Sequence, residues 1–278
     1  MLKRLDVEKV SILGCGWYGL PLGKKLVNLG YNVKGSTTNS AKLALLKASG
    51  ISPYLLKITD SEVASFPLGF LESELLIVNI PPERREDIEN YYFQQMNILL
   101  GHIKKSNIKE IILISSTSVY PDTGFSTNEN EKVYPDKQSG KVLLKVENLF
   151  QNYEDAKLMV LRFAGLFGAD RNPGRFLAEK RSLKDGNAPV NLVHLDDCIE
   201  ITIKLLQKKC YGEIFNVCAD HHPLRKDFYQ KAAVNLGLTP PEFLPSEEAK
   251  KYKIVSNAKV KKALDQYQFL FADPLDAI

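Results

Sequence analysis

Apolar and polar positions alternate with a period that changes in a regular order along the chain. The largely apolar run Val10-Ser11-Ile12-Leu13 has strand length, and Leu20 to Leu29 then places leucines at helical spacing before Gly30. Tyr31 to Gly35 predicts a second strand, Ala41 to Lys47 a helix, Pro53 to Ile58 a third strand and Leu75 to Ile80 a fourth. Arg84 to Lys105 carries Ile88, Tyr91, Tyr92, Gln95, Ile98, Leu99 and His102 at helical spacing and predicts a long amphipathic helix, with His102 on its face. Glu110 to Ile114, a helix over Gly140 to Tyr153 and a sixth strand over Leu158 to Gly168 continue the series. Short buried strands alternating with amphipathic helices predict an α/β fold with a doubly wound parallel sheet. Past Ala169 the pattern is less regular, with helices expected over Cys198 to Gln207, Pro223 to Leu236 and Asn257 to Leu264. The expected division is a dinucleotide-binding domain over 1–168 and a small C-terminal substrate lobe over 169–278, whose segment at about 190–218 returns to the sheet.

The first strand runs into Gly14-Cys15-Gly16-Trp17-Tyr18-Gly19, which reads G-x-G-x-x-G. Strand, glycines and helix in that order give the pattern its chemical meaning. Gly14 permits the tight turn, Gly16 lets a pyrophosphate approach the backbone, and Gly19 lets the helix pack closely on the strand. The amide groups at the helix start then face the phosphates.

The second strand ends in Ser36-Thr37-Thr38-Asn39, where NAD-binding folds usually carry an acidic residue for the ribose hydroxyls. No carboxylate is present to repel a 2′-phosphate, Ser36, Thr37 and Thr38 can donate to one, and Lys42 lies a turn further on. That favours NADP, with NAD as the alternative. The same hydroxyls would serve equally to cap the next helix. The fourth strand closes on Asn79-Ile80-Pro81-Pro82, whose prolines end the ladder and shape a rigid loop facing the cofactor crevice.

Composition narrows the partners. The 278 residues carry a formal charge of +4 spread without a basic block, so charge gives no support for nucleic-acid binding. Cys15, Cys198, Cys210 and Cys218 form no C-x-x-C and have no histidine at ligand spacing, which argues against zinc and for free thiols in a reducing compartment. His221-His222-Pro223 lacks a third ligand, so no metal is expected there. Met1-Leu2-Lys3-Arg4 and the charged residues after it leave no room for a signal peptide, and no apolar run has membrane-spanning length. The expectation is a cytoplasmic protein acting on a small, phosphate-bearing molecule.

Further on, Ile112-Leu113-Ile114-Ser115-Ser116-Thr117-Ser118-Val119-Tyr120 resembles the catalytic-serine strand of the extended short-chain dehydrogenase/reductases, the sugar-nucleotide epimerase and dehydratase family. Leu161-Arg162-Phe163-Ala164-Gly165-Leu166-Phe167-Gly168 with Arg171 resembles its R-x-x-x-x-Y-G-x-x-R signature. Val190 to Asp197 resembles its N-x-I-H-V-D-D segment, and Gly212 to Val217 its late G-x-x-Y-N-V strand. The resemblance spans nearly the whole chain. It implies a Rossmann fold, a nicotinamide cofactor whose adenine packs on Ile58, contacts from Phe163, Ser116 as the catalytic serine, and a homodimer built on the two long helices. It also implies an oxidoreductase or epimerase acting on a sugar-nucleotide-like or small carbonyl substrate.

Two departures mark this chain. The family's Y-x-x-x-K pair, a tyrosine whose high pKa is pulled down by a lysine one turn away, is missing. If Glu147 matches the family's helix glutamate, Ser139 and Leu143 occupy the pair; the literal match Tyr153 to Lys157 lies in the link to the sixth strand. The acidic adenine contact falls near Lys57. These absences resemble the atypical branch of the superfamily. Three alternatives stand: Tyr134 acting with Lys141 as its electrostatic partner, Ser116 acting with another base or the substrate's own acidic proton, or a redox sensor that binds the cofactor without turnover. His194 reads as part of a strand end where Asp196 or Asp197 caps the next helix. Arg171 and Arg175 lie in a loop that could meet a diphosphate or simply face solvent.

Overall fold

The computed structural model describes residues 8–61, 66–67, 69–245 and 251–278. The reading of Met1 to Arg4 lies outside the described residues. β1 (Lys9–Leu13) has Val10 and Ile12 fully buried and Leu13 nearly so, as a central strand covered on both faces requires. α1 (Gly19–Asn28) turns Gly19, Leu22, Gly23 and Leu26 to the core, the spacing of one helical stripe. β2 (Asn32–Thr37), α2 (Leu43–Ala48), β3 (Ser52–Leu55), β4 (Leu75–Val78), α3 (Ile88–Ile103) and β5 (Glu110–Ser116) follow. After the short β6 (Ser126–Thr127) come α4 (Gln138–Gln151), β7 (Lys157–Phe163), β8 (Gly165–Phe167), α5 (Gly174–Leu177) and β9 (Leu192–His194). α6 (Leu195–Gln207), β10 (Ile214–Val217), α7 (Arg225–Val234), β11 (Ile254–Val255) and α8 (Ala258–Ala263) complete the order.

Seven strands form one sheet in the order β10-β7-β5-β4-β1-β2-β3. β1 pairs in parallel with both β2 and β4, so the order reverses direction between β1 and β4. That reversal is where an open parallel sheet leaves a crevice at its carboxyl edge. Two smaller pairs, β11–β6 and β8–β9, stand apart from it. The chain divides into two compact units. One holds the residues up to Ser115, Lys137–Leu161 and Leu206–Ile214; the other holds Ser116–Asp136, Arg162–Leu205 and Phe215–Ile278. No helix among the described residues is long and apolar enough to cross a membrane.

Several element ends differ from the sequence expectation, each for a local reason. β2 runs two residues past Gly35 because Ser36 and Thr37 still pair with Tyr54 and Leu55 of β3. β3 stops at Leu55, since β2 offers no further partner once its last carbonyl, Thr37 O, has accepted Leu56 N at 3.0 Å. α3 starts at Ile88 rather than Arg84. Its first turn closes on Asp87, whose carbonyl accepts Asn90 N and Tyr91 N, and Arg85 folds back onto the Asp87 carboxylate and over the Tyr91 ring.

Candidate functional site

The turn between β1 and α1 is held by three hydrogen bonds from two strand ends. Gly14 has a φ of +100°, and its amide donates to Ser36 Oγ at 2.9 Å. Cys15 N donates to Ser36 O at 2.7 Å, which fastens the glycine loop to the end of β2. Asn79 Nδ2 donates to Gly14 O at 2.9 Å, which fastens it to the end of β4. Gly19 packs so closely that a Cβ there would lie 2.3 Å from Gly14 O; a Cβ on Gly16 would meet no atom within 4 Å. The first contact welds helix to strand, whereas Gly16 leaves open space and lines the cavity described next.

A cavity of about 550 Å³ lies over this loop at the carboxyl ends of β1 to β4. Gly14, Cys15 and Gly16 line it from the first turn, and Ser36, Thr37 and Thr38 from the end of β2. Ile58 lines it after β3, and Asn79, Ile80 and Pro81 after β4. Ser36 and Thr37 are buried, and each oxygen accepts a backbone amide, Gly14 N and Asn39 N respectively. Thr38, Asn39 and Lys42 are the exposed members at that end. The turn after β2 is capped by Asn39 Oδ1, which accepts Ala41 N at 2.9 Å, and not by the neighbouring hydroxyls. Burial pushes the Cys15 thiol up to about 12, which keeps it a neutral wall of the cavity.

Gln95 was not among the sequence candidates, yet it lines the cavity from α3 and donates to Ile58 O at 2.8 Å. Its signal was a glutamine on a stripe of otherwise apolar and aromatic residues. Tyr92, three residues earlier, donates to Ile80 O at 2.7 Å and fixes the proline loop. Tyr18, 3% exposed, is the residue before α1, and Trp17 precedes it in the turn.

On the serine strand, Ser115 Oγ donates to Glu147 Oε1 of α4 at 2.5 Å, and Glu147 is buried. That bond fixes the register of α4 against β5. It leaves Leu143 and Ser139 one and two helical turns before Glu147, on its face. Leu143 is 7% exposed and apolar. Lys141 is exposed on α4. Tyr153 follows α4 and Lys157 opens β7 at its amino end, where Lys157 N donates to Lys109 O, away from the carboxyl edge that carries the cavity.

In the second unit, Ser116 Oγ accepts Ser118 N at 3.1 Å, and Tyr134 is 71% exposed. Phe163 is buried at 2% exposure. Tyr120 Oη donates to Asn216 Oδ1 and accepts from Arg162 Nη1, a buried polar knot behind the serine segment. The expected cap of α6 is corrected: both aspartates lie inside its first turn, and His194 Nδ1 accepts Asp196 N at 3.2 Å. Asp197, fully buried, accepts instead from Leu270 N, Phe271 N and Tyr267 Oη. Arg171 lies over the Phe176 ring at 5.9 Å.

A parallel sheet with its reversal at β1/β4, a G-x-G-x-x-G turn at that reversal and a cavity above it define a Rossmann-type dinucleotide-binding protein. The chain belongs to the NAD-dependent epimerase/dehydratase family, whose description matches residues 81–218 and whose dinucleotide is a nicotinamide one. It is 36% identical to Protein YeeZ of Escherichia coli K12 over 274 residues, covering 97% of this chain and 98% of that protein. Its fold is similar to that of UDP-glucuronic acid 4-epimerase from Bacillus cereus in complex with NAD, with a TM-score of 0.78 at 20% identity over 97% and 94% of the two chains. It is also similar to UDP-glucose 4-epimerase from Thermotoga maritima, with a TM-score of 0.72 at 19% identity over 91% of each chain.

Proposed function

We propose that this protein is an NADP-binding oxidoreductase or epimerase acting on a sugar-nucleotide-like or small carbonyl substrate. The observation that carries the reading is the cavity over the glycine loop, with room beside Gly16 for a pyrophosphate and no carboxylate on residues 36–42. A bound nicotinamide dinucleotide supplies the hydride acceptor or donor. Gly14, Cys15, Gly16, Trp17, Tyr18 and Gly19 shape the cradle for its phosphates, and Asn79, Ile80 and Pro81 wall the crevice. Ile58 packs on the adenine, and Phe163 contributes from the sixth strand of the resemblance. Ser116 holds the reacting oxygen. With serine and leucine in the tyrosine and lysine positions of α4, the proton passes through Tyr134 assisted by Lys141, or is the substrate's own acidic proton.

The substrate is met by the C-terminal lobe, residues 169–278. The protein works in the cytoplasm, a reducing compartment that suits its four unpaired cysteines. A groove of about 680 Å³ between α3 and α4, with Phe93 and Leu149 in its lining, offers the homodimer face.

A second reading, cofactor binding without redox turnover, is favoured by the buried apolar Leu143 where the family carries its lysine. Titration of the protein with NADPH and NADH tests the first step, and NADPH is expected to bind more tightly. Oxidation of NADPH in the presence of a panel of sugar nucleotides and small carbonyls tests the second. Turnover that Ser116→Ala lowers about a hundredfold at unchanged NADPH affinity supports the enzyme. Tight NADPH binding with no turnover for any substrate supports the sensor.

A further inference from the structure

At the carboxyl ends of β2 and β3 the cavity is bounded by Thr38, Asn39 and Lys42 on one side and by Lys57 on the other. The two strands are neighbours in register, Thr37 opposite Leu55, so the segments leaving them begin roughly 4.8 Å apart. Leu56 and Ile58 are buried, and Lys57 between them stands exposed. Neither Lys42 nor Lys57 is engaged in an ion pair among the described residues, although both line the same cavity. The carboxylate in the lining is Glu83, which follows β4, and β1 stands between β4 and β2 in the sheet.

Lysine has three donors and no acceptor, so position 57 cannot take the hydrogens of adenine's amino group. Gln95 of the lining can, since its amide nitrogen is spent on Ile58 O and its side-chain oxygen accepts no hydrogen bond among the described residues. Two uncommitted ammonium groups lining one cavity, Lys42 at the end of the turn after β2 and Lys57 two residues past β3, suit a doubly charged phosphate monoester. Resting on the reading of the cavity as an NADP site, we propose that Lys42 and Lys57 hold one phosphomonoester from two sides. Lys57, which follows the third strand instead of the second, sets the preference for an adenosine phosphorylated at its 2′ position.

The test is calorimetric titration of the full chain with adenosine 2′,5′-bisphosphate and, separately, with AMP. Lys57→Met is expected to weaken the bisphosphate about tenfold, the scale of one charge-assisted contact, and AMP by less than about twofold. Lys57→Arg restores most of the loss, and Lys42→Met acts in the same direction. Raised salt narrows the preference of the native protein, because both ammonium groups are exposed. Equal weakening of both ligands by Lys57→Met, or of neither, overturns the two-lysine site while leaving the dinucleotide reading standing. Failure of the native protein to bind either ligand overturns both.

Discussion

Replacing Gly16 by alanine adds one methyl group to the loop between β1 and α1. In the protein alone that methyl meets nothing within 4 Å, and Gly16 is not among the glycines with a positive φ. Stability should stay within about 0.5 kcal/mol of the native chain, less than roughly 2 °C in Tm. In the proposed cofactor complex, the same methyl lies where the pyrophosphate packs. Overfilling a close contact costs about 1–3 kcal/mol, or about five- to 150-fold in Kd. Gly19→Ala should behave in the opposite way. Its Cβ would lie 2.3 Å from Gly14 O and 3.0 Å from Asn79 Nδ2, so α1 has to part from β1 before any ligand arrives. A cost of about 3 kcal/mol there lowers Tm by roughly 6–12 °C. Thermal unfolding reads the first quantity. The fluorescence of Trp17, the chain's single tryptophan and a member of the loop, reads the second during NADPH titration. Native affinity in Gly16→Ala would refute the cradle, and a large drop in its Tm would refute the open space beside it.

Three further outcomes follow from the polar contacts. Ser115→Ala removes a donor to the buried Glu147 carboxylate and should cost about 2 kcal/mol in chemical denaturation; a neutral result would mean that the bond does not hold α4 in register. Asp197→Ala strips the acceptor from Leu270 N, Phe271 N and Tyr267 Oη, so amide exchange and proteolysis should rise first around residues 267–271. Protection unchanged there would show that the segment is held by something else. Burial keeps the His194 imidazole below its ordinary 6.5, and Nδ1 must be unprotonated to accept Asp196 N. The unfolded chain therefore takes up its proton first, so His194 contributes stability that is complete above about pH 6.5 and is lost as pH falls through the lower folded value. His194→Gln should flatten the decline of Tm between about pH 7 and about pH 5; an unaltered slope assigns the decline to other groups.

The parts of the fold that repeat were readable from residue patterns. Gly14 to Gly19, the buried strands and the stripe on α3 follow from spacing alone, because helices and strands impose periods of 3.6 and 2 on burial. What spacing does not carry is where a ladder ends. Ser36 and Thr37 read as loop hydroxyls, but pairing with β3 draws them into β2, and partner strands are not visible in local sequence. Asp197 read as a helix cap because its partners lie more than seventy residues further on, in a stretch with no motif. The site shows the same division. The glycine loop was legible, whereas Gln95 reaches the cavity only through the packing of α3 on the sheet.

The two compact units are built from three segments each, so the chain passes between them five times, at Ser115, Asp136, Leu161, Leu205 and Ile214. A nascent chain emerges from its N-terminus, and the first unit lacks its last segment until Ile214 has been made. By then only about half of the second unit has been made, so the first unit is complete in sequence while the second still awaits its last segment, Phe215–Ile278. No single cut yields either unit whole, and a gene fusion or truncation at residue 168 would divide both. The loop from Gly14 to Gly19, made early, therefore belongs to a unit whose last segment is not finished until Ile214.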